Sequence, residues 1–330
     1  MTPSECGLVV LRSHGPRLAK TLHPGGTVTI CGGARTFDMA EVTVASLGDL
    51  YGILTKLAIR PDLCAVRAAI ADRDHTHGVR RLFRPDPGTG DVATLREVPR
   101  RWVALDIDGI QAPAGLIASD LAACLGVVLP LLPAGFQGAA LIVQATAGHG
   151  VKPGLRLRVW AWLSRPAMGA ELARWLAALP CLDRASFRPS QIIYTAAPIL
   201  ANGATDPLPD GRLYFATGRA TVEVPAPHNL VMPPSRVMPA PRITGSTLPN
   251  ARYGAAALVR AAANIMAQPE GGRHETAVAE AWGLARLAKA GAVTASDVTR
   301  VIEGALRHAG KPDGEGEAIA AWALAQRGAA

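Results

Sequence analysis

The first groups in this sequence with chemistry to offer are two aspartates at the end of an apolar run. In RRWVALDIDGI, Asp106 and Asp108 stand at i and i+2. On a strand, alternation places both carboxylates on one face and turns Leu105 and Ile107 to the other. Carboxylates about 7 Å apart along a strand can share or bracket a hard cation. Left unpaired they repel, and a divalent ion would both remove that repulsion and supply charge for phosphoryl chemistry. The same string also reads as a solvated turn closing a strand, because Asp-Gly favours turns.

A further carboxylate, Asp183, lies in CLDRASFRPSQIIYTAAP, just ahead of an apolar stretch. Together with Asp106 and Asp108 it would complete a two-metal site drawn from two segments. Asp183 could equally flank a helix and pair with Arg184. Between the acids comes ATAGHGVKPGLRLRVWAWLSRP, a loop of small residues leading into a strand. Arg156 and Arg158 share one face of that strand, and Leu155, Leu157 and Val159 the other. Guanidinium groups so placed can hold a triphosphate, and His149 and Lys152 on the loop could reach the same anion. A loop histidine with no catalytic duty is the competing reading of His149.

These side chains need a scaffold, and residues 1–223 supply one as an α+β arrangement. Thr27–Cys31, Cys64–Ala69, Arg101–Ile107, Ala139–Ala145, Leu155–Leu163 and Gln191–Thr195 read as strands. Val44–Ile59, Ala118–Leu129 and Met168–Leu179 read as helices. A mixed sheet flanked by helices is expected. No glycine-rich Walker or Rossmann loop follows a strand. Residues 224–250 carry Pro225, Pro227, Pro233, Pro234, Pro239, Pro241 and Pro249, which block helix and central strand alike and predict a semi-rigid linker. Residues 251–330 then turn helical, over Tyr253–Met266, His274–Ala290, Ser296–His308 and Glu315–Arg327, which predicts a small bundle.

With 330 residues, 49% of them hydrophobic, the chain can bury a large core and a small second one. No run reaches the roughly 18 apolar residues of a membrane span, and the start lacks the pattern of a signal peptide, so a cytoplasmic protein is expected. Cys6, Cys31, Cys64, Cys124 and Cys181 stand singly without a C-x-x-C pair, which predicts reduced, mostly buried thiols and no zinc. A formal charge of +8 suits a polyanionic partner, although an arginine-rich, alanine-rich composition also follows from a GC-rich genome.

The order of these features resembles the archaeo-eukaryotic primase superfamily, in particular the primase-polymerases of phages, plasmids and integrated elements. That family pairs a hydrophobic-Asp-x-Asp motif, matched by LDIDGI, with a loop leading to a histidine-bearing strand and then a hydrophobic-Asp motif. Asp183 followed by Gln191, Tyr194 and Pro198 resembles the last of these. In the middle motif Arg158 stands where many relatives carry histidine, or else His149 takes that role. The C-terminal stretch GGRHETAVAEAWGLARLAKAGAVTASDVTRVIEGALRHAGKPDGEGEAIAAW resembles the helical module that often follows this catalytic domain, with Arg273, His274 and the Gly310–Gly316 turn in characteristic places.

The resemblance implies that Asp106, Asp108 and Asp183 bind two Mg²⁺ or Mn²⁺ ions. Arg158, with Arg156, Lys152 or His149, would then neutralise a nucleoside triphosphate. It further implies template-directed primer synthesis on single-stranded DNA, with the helical module aiding initiation. Any replicative helicase would be a separate partner, since no Walker lysine motif occurs. The competing readings are a metal-dependent nuclease or relaxase, prompted by His75 and His77 in DRDHTHG, and a noncatalytic single-strand-binding accessory protein.

Overall fold

Short strands whose side chains alternate between separate cores make up most of the first part of the chain. In the computed structural model, residues 5–30, 33–86, 88–179, 181–227, 251–268 and 272–328 are described. The chain divides into two compact units, Met1–Ser235 and Arg236–Ala330. The expected linker falls outside the described residues from 228 to 250, as does Cys31. Among the described residues no helix is long and apolar enough to cross a membrane.

In chain order the strands are β1 (Gly7–Arg12), β2 (Lys20–Leu22), β3 (Val28–Ile30), β4 (Thr36–Thr43), β5 (Leu63–Val66), β6 (Ala69–Ile70), β7 (Val79–Arg80), β8 (Leu95–Arg96), β9 (Arg100–Ile110), β10 (Leu141–Ala145), β11 (Leu155–Ala167), β12 (Ile199–Leu200) and β13 (Leu213–Ala216). The helices are α1 (Leu47–Ala58), α2 (Leu121–Val128), α3 (Gly169–Trp175), α4 (Ala251–Met266), α5 (Arg273–Lys289), α6 (Ala295–His308) and α7 (Glu315–Arg327). The architecture is α+β. One expectation needs correcting: instead of a single mixed sheet, the strands form sheets ordered β5-β1-β4-β7, β13-β10-β11-β9, β12-β2-β3 and β6-β8. The sheet that carries Asp106 and Asp108 is wholly antiparallel. Gln191–Thr195 is likewise not a strand. Within it only Ile193 makes a bridge, to Ala65.

Both faces of the β13-β10-β11-β9 sheet are covered, which explains its near-continuous apolar sequence. Val103, Leu105, Ile107, Val143, Leu157 and Val159 pack on one side with Leu121, Leu125 and Val128 of α2 and Leu172 of α3. Trp102, Ala104, Ile142, Trp160 and Trp162 pack on the other with Leu8 of β1 and Leu47, Leu50, Leu54 and Leu57 of α1. Those four leucines recur at helical spacing, and Ser46 caps the helix by accepting the Asp49 N–H at 3.1 Å. Trp102 Nε1 donates to the Gly7 carbonyl at 2.9 Å and so locks the sheet to β1.

Where β9 begins, Arg100 is fully buried and donates to Glu41 Oε1 at 3.0 Å and to the carbonyls of Arg67 and Ala68. Removing the carboxylate would take from a buried guanidinium the counter-charge that Glu41 supplies, which is far costlier than never having had the pair. Glu41→Ala is expected to lower stability by about 3 kcal/mol in urea unfolding.

The second unit is a bundle of α4, α5, α6 and α7 whose core is largely alanine: Ala257, Ala261, Ala277, Ala281, Ala285, Ala305, Ala320 and Ala323, with Leu284, Ile302, Leu306 and Leu324 between them. Small side chains let the helices approach closely. A Cβ on Gly316 would lie 2.4 Å from Glu303 Cα. Glu303 in turn accepts the N–H groups of Gly314, Gly316 and Glu317 at 3.0, 2.9 and 3.1 Å, satisfying donors at the start of α7. The Gly314 N–H, with those of Glu317 and Gly316, holds the Glu303 carboxyl below its ordinary pKa. A carboxylate with a lowered folded pKa contributes stability above its unfolded value and loses it as pH falls through the folded one. The bundle is therefore expected to soften on acidification, and Glu303→Ala should remove that acid-sensitive component, as read from thermal melts at successive pH values.

Candidate active site

Residues of even number along β9 and β11 pass from core to site along one face. Trp102 and Ala104 lead to Asp106 and Asp108 on β9, and Trp162 and Trp160 lead back to Arg158 and Arg156 on β11. In register, Arg158 opposes Asp106 and Arg156 opposes Asp108. Both aspartates lie within the strand, which continues through Gly109 (φ 78°) to Ile110 with a shift of register opposite Leu155 and Arg156. The D-x-D-G string is thus the approach to a bulge and not a closing turn. Gly154 makes the opposing contact: a Cβ there would sit 2.9 Å from the Ile110 carbonyl oxygen.

The other edge of β9 is met by the segment around Leu182. Leu182 bridges Ile107, the Asp183 N–H donates to the Asp106 carbonyl at 2.9 Å, and the Asp108 N–H donates to the Cys181 carbonyl at 3.0 Å. Asp183 is therefore the cross-strand neighbour of Asp106, on the side opposite Arg158. Its Oδ1 accepts the Ala185 N–H at 2.9 Å and caps the short turn Arg184–Phe187. Arg184 turns instead to the Ala177 carbonyl.

Arg158 holds Asp106 in a two-pronged ion pair, Nε to Oδ1 at 2.5 Å and Nη2 to Oδ2 at 2.9 Å. Its Nη1 donates to the Tyr194 carbonyl at 2.5 Å and to Gln144 Oε1 at 3.3 Å. Gln144 also accepts from Trp160 Nε1 at 3.1 Å and donates to the Thr195 carbonyl at 2.9 Å. The Arg158 side chain keeps only 7% of its accessible surface. Its three nitrogens are all engaged inside the protein. Arg156 Nη1 stands 3.5 Å from Asp108 Oδ1, a looser pair in which Asp108 keeps 51% of its surface. Even so, desolvation by the surrounding chain pushes the Asp108 carboxyl above its ordinary pKa. Asp106 and Asp183 add to the rise, while Arg156 and Lys20 oppose it.

His149 lies on the loop before β11 and is 1% exposed. Its Nδ1 accepts the Arg156 N–H at 3.1 Å, and Nε2 donates to the Ala118 carbonyl at 2.9 Å. Burial holds its pKa below the ordinary value, consistent with a neutral ring that donates at one nitrogen and accepts at the other. Neither nitrogen is left for a triphosphate. Lys152, by contrast, is exposed on the same loop. His77, one of the histidines of the DRDHTHG loop, faces Asp38 at 3.6 Å, a carboxylate that His14 Nε2 also meets at 2.6 Å.

Sequence reasoning missed Lys20, Gln144 and the Tyr194 carbonyl. Lys20, from β2, lies 5.9 Å above the Tyr194 ring. Burial and Arg158 lower its pKa, while Asp108 and Asp106 raise it. A lone lysine opening a short strand carries no sequence signal for such a place.

The donor set, carboxylates without sulfur or a free imidazole, suits a hard cation such as Mg²⁺ or Mn²⁺. Asp108 and Asp183 are exposed, whereas Asp106 has both oxygens committed to Arg158. Among the described residues, no three His, Cys, Asp or Glu side chains are gathered into a formed metal cluster. The acids fit in type and facing. Comparison with protein-family models, with curated proteins and with solved structures finds no match.

Asp106 and Asp108 share a face but not a structural burden, because loss of Asp106 strands Arg158 in a nearly buried position. Asp106→Ala is expected to cost about 3 kcal/mol, and Asp108→Ala less than about 1 kcal/mol, in chemical denaturation.

Proposed function

We propose that this chain is a nucleotidyltransferase of the archaeo-eukaryotic primase type, which copies single-stranded DNA into short primers from nucleoside triphosphates. The observation that carries this reading is the row of Asp183 and Asp106 beside Asp108 on one sheet face, with basic groups set next to it. Acids able to hold metal ions, beside cations that offset phosphate charge, suit the transfer of a nucleotidyl group from a triphosphate to a 3′-hydroxyl with departure of pyrophosphate.

In this reading Asp106, Asp108 and Asp183 would hold two Mg²⁺ or Mn²⁺ ions, which supply Lewis acidity and charge neutralisation when bound. Arg158 orients the Asp106 carboxylate and offsets its charge until a ligand arrives. Arg156 steadies Asp108 in the same manner, at longer range. Lys152 stands exposed on the loop before β11, able to meet an incoming polyanion. DNA would be held mainly through its phosphates, in keeping with the formal charge of +8.

One observation favours a second reading, a noncatalytic protein that binds single-stranded DNA in replication. The two-pronged Arg158 pair already gives Asp106 the positive charge that an ion would otherwise bring. Incorporation of labelled nucleotides on single-stranded templates, with Mg²⁺ or Mn²⁺ and with chelator, separates the two. The primase reading expects metal-dependent product that falls at least about 100-fold in Asp108→Ala and in Asp183→Ala. Full incorporation by either variant would sink that site assignment. Metal-independent DNA binding with no product would favour the accessory protein.

A further inference from the structure

We propose that Lys20 is the residue that grips the phosphates of the nucleoside triphosphate at this site. The inference rests on the nucleotidyltransferase reading, and it follows from taking the cations around the acidic face one at a time.

Arg158 has Nε, Nη1 and Nη2 engaged by Asp106, Gln144 and Tyr194. Arg212 is bound to Asp206 through Nε and Nη2, at 3.1 and 2.6 Å, and to the Thr146 carbonyl through Nη1. His149 has both ring nitrogens occupied. Arg156 keeps 18% of its side-chain surface, with Nη1 3.5 Å from Asp108 Oδ1 and Nε buried without a hydrogen-bond partner. Arg158, Arg212 and His149 have no donor to give without breaking an internal contact, and the Arg156 guanidinium is turned toward Asp108 with its one unpartnered nitrogen shut away from solvent.

Lys20 differs from them. It is half-buried, yet its ammonium makes no hydrogen bond and no ion pair among the described residues. Asp106, Asp108, Arg158 and Lys152 all lie close enough to act on its charge. An ammonium held beside two carboxylates without closing a pair on either keeps its three donors for a ligand. Its seat is built by the chain. Thr21 and Leu22, the next residues of β2, pair in parallel with Ile199 and Leu200 of β12. That strand follows the segment whose Tyr194 ring lies beneath the ammonium and whose Tyr194 carbonyl takes Arg158. The same short segment therefore fixes Lys20 and Arg158 relative to each other.

A phosphate oxygen accepting from a lysine in a partly desolvated place gains a charge-assisted hydrogen bond, and losing it costs roughly ten- to a hundredfold in affinity. The test uses the full chain. Binding of inorganic tripolyphosphate, of ATP and of a single-stranded oligonucleotide is measured for wild type, Lys20→Met, Lys20→Arg and Lys152→Ala, with chelator present so that metal loading plays no part.

The expected result is a tenfold or greater loss of both tripolyphosphate and ATP in Lys20→Met, with substantial recovery in Lys20→Arg. The oligonucleotide should bind nearly as in wild type. Unchanged melting curves exclude misfolding, and should Lys20→Met melt early, Lys20→Gln takes its place. Wild-type affinity for tripolyphosphate in Lys20→Met overturns the proposal. So does a wild type that binds neither anion, or a loss confined to the oligonucleotide. A Lys20-dependent triphosphate site in a protein that incorporates no nucleotide would uphold the assignment and remove the catalytic reading.

Discussion

The antiparallel pairing of β9 with β11 is the constraint on which the remainder of the site depends. It sets Arg158 opposite Asp106 and Arg156 opposite Asp108, and it does so because the flanking positions are apolar on both faces. A slip of one residue would turn every side chain of a strand over, exchanging valines and leucines for tryptophans and charges. Two cores with differently shaped side chains make that exchange prohibitively costly. The ion pairs are thus consequences of packing: the register is chosen by Trp102, Leu105, Leu157 and Trp160, and the charged residues inherit it.

The charges are arranged so that each acid has a different degree of freedom. Asp106 is held on both oxygens, Asp108 leans toward one guanidinium, and Asp183 is tied through one oxygen to the turn it caps. The like charges of Asp106 and Asp183 raise the affinity of Asp108 for its proton, adding to the rise that desolvation causes there. Gln144 sits where the hydrophobic part of the face gives way to the charged part. Its carbonyl accepts from Arg158 and from Trp160, so an amide joins the two regimes without an unsatisfied group on either side.

What depends on local period was legible in the sequence. Asp106 and Asp108 on one face, Arg156 and Arg158 on another strand's matching face, and the ranges of α5 to α7 all follow from alternation or from a 3.6-residue repeat. What depends on which segments meet was not. Nothing within TVTIC or CAVRAA tells that the strands divide into separate sheets, and neither the apolar run of β1 nor the sequence of β4 says which strand it will join. The same holds for His149, whose type suggests a ligand. Only the folded loop reveals that Ala118 and the Arg156 N–H use up its nitrogens. Arg158 was read as reaching outward because its strand alternates, and its direction along that face is set by Tyr194 and Gln144 from elsewhere in the chain. Gln191–Thr195 carries the apolar pattern of a strand without forming one, for a related reason. Its apolar residues serve as a lining for other elements, with Ile193 alone reaching a strand partner.

Tyr194 contributes in two separable ways. Its carbonyl oxygen restrains Arg158, and its ring underlies Lys20. The first contribution belongs to the backbone and survives any replacement of the side chain that preserves the local path. The second exists only while an aromatic ring is there. Drift at this position would therefore act on the half-buried Lys20 ammonium and leave the internal charge pair in place, so the charge pair and the lysine beside it can vary independently through a single residue.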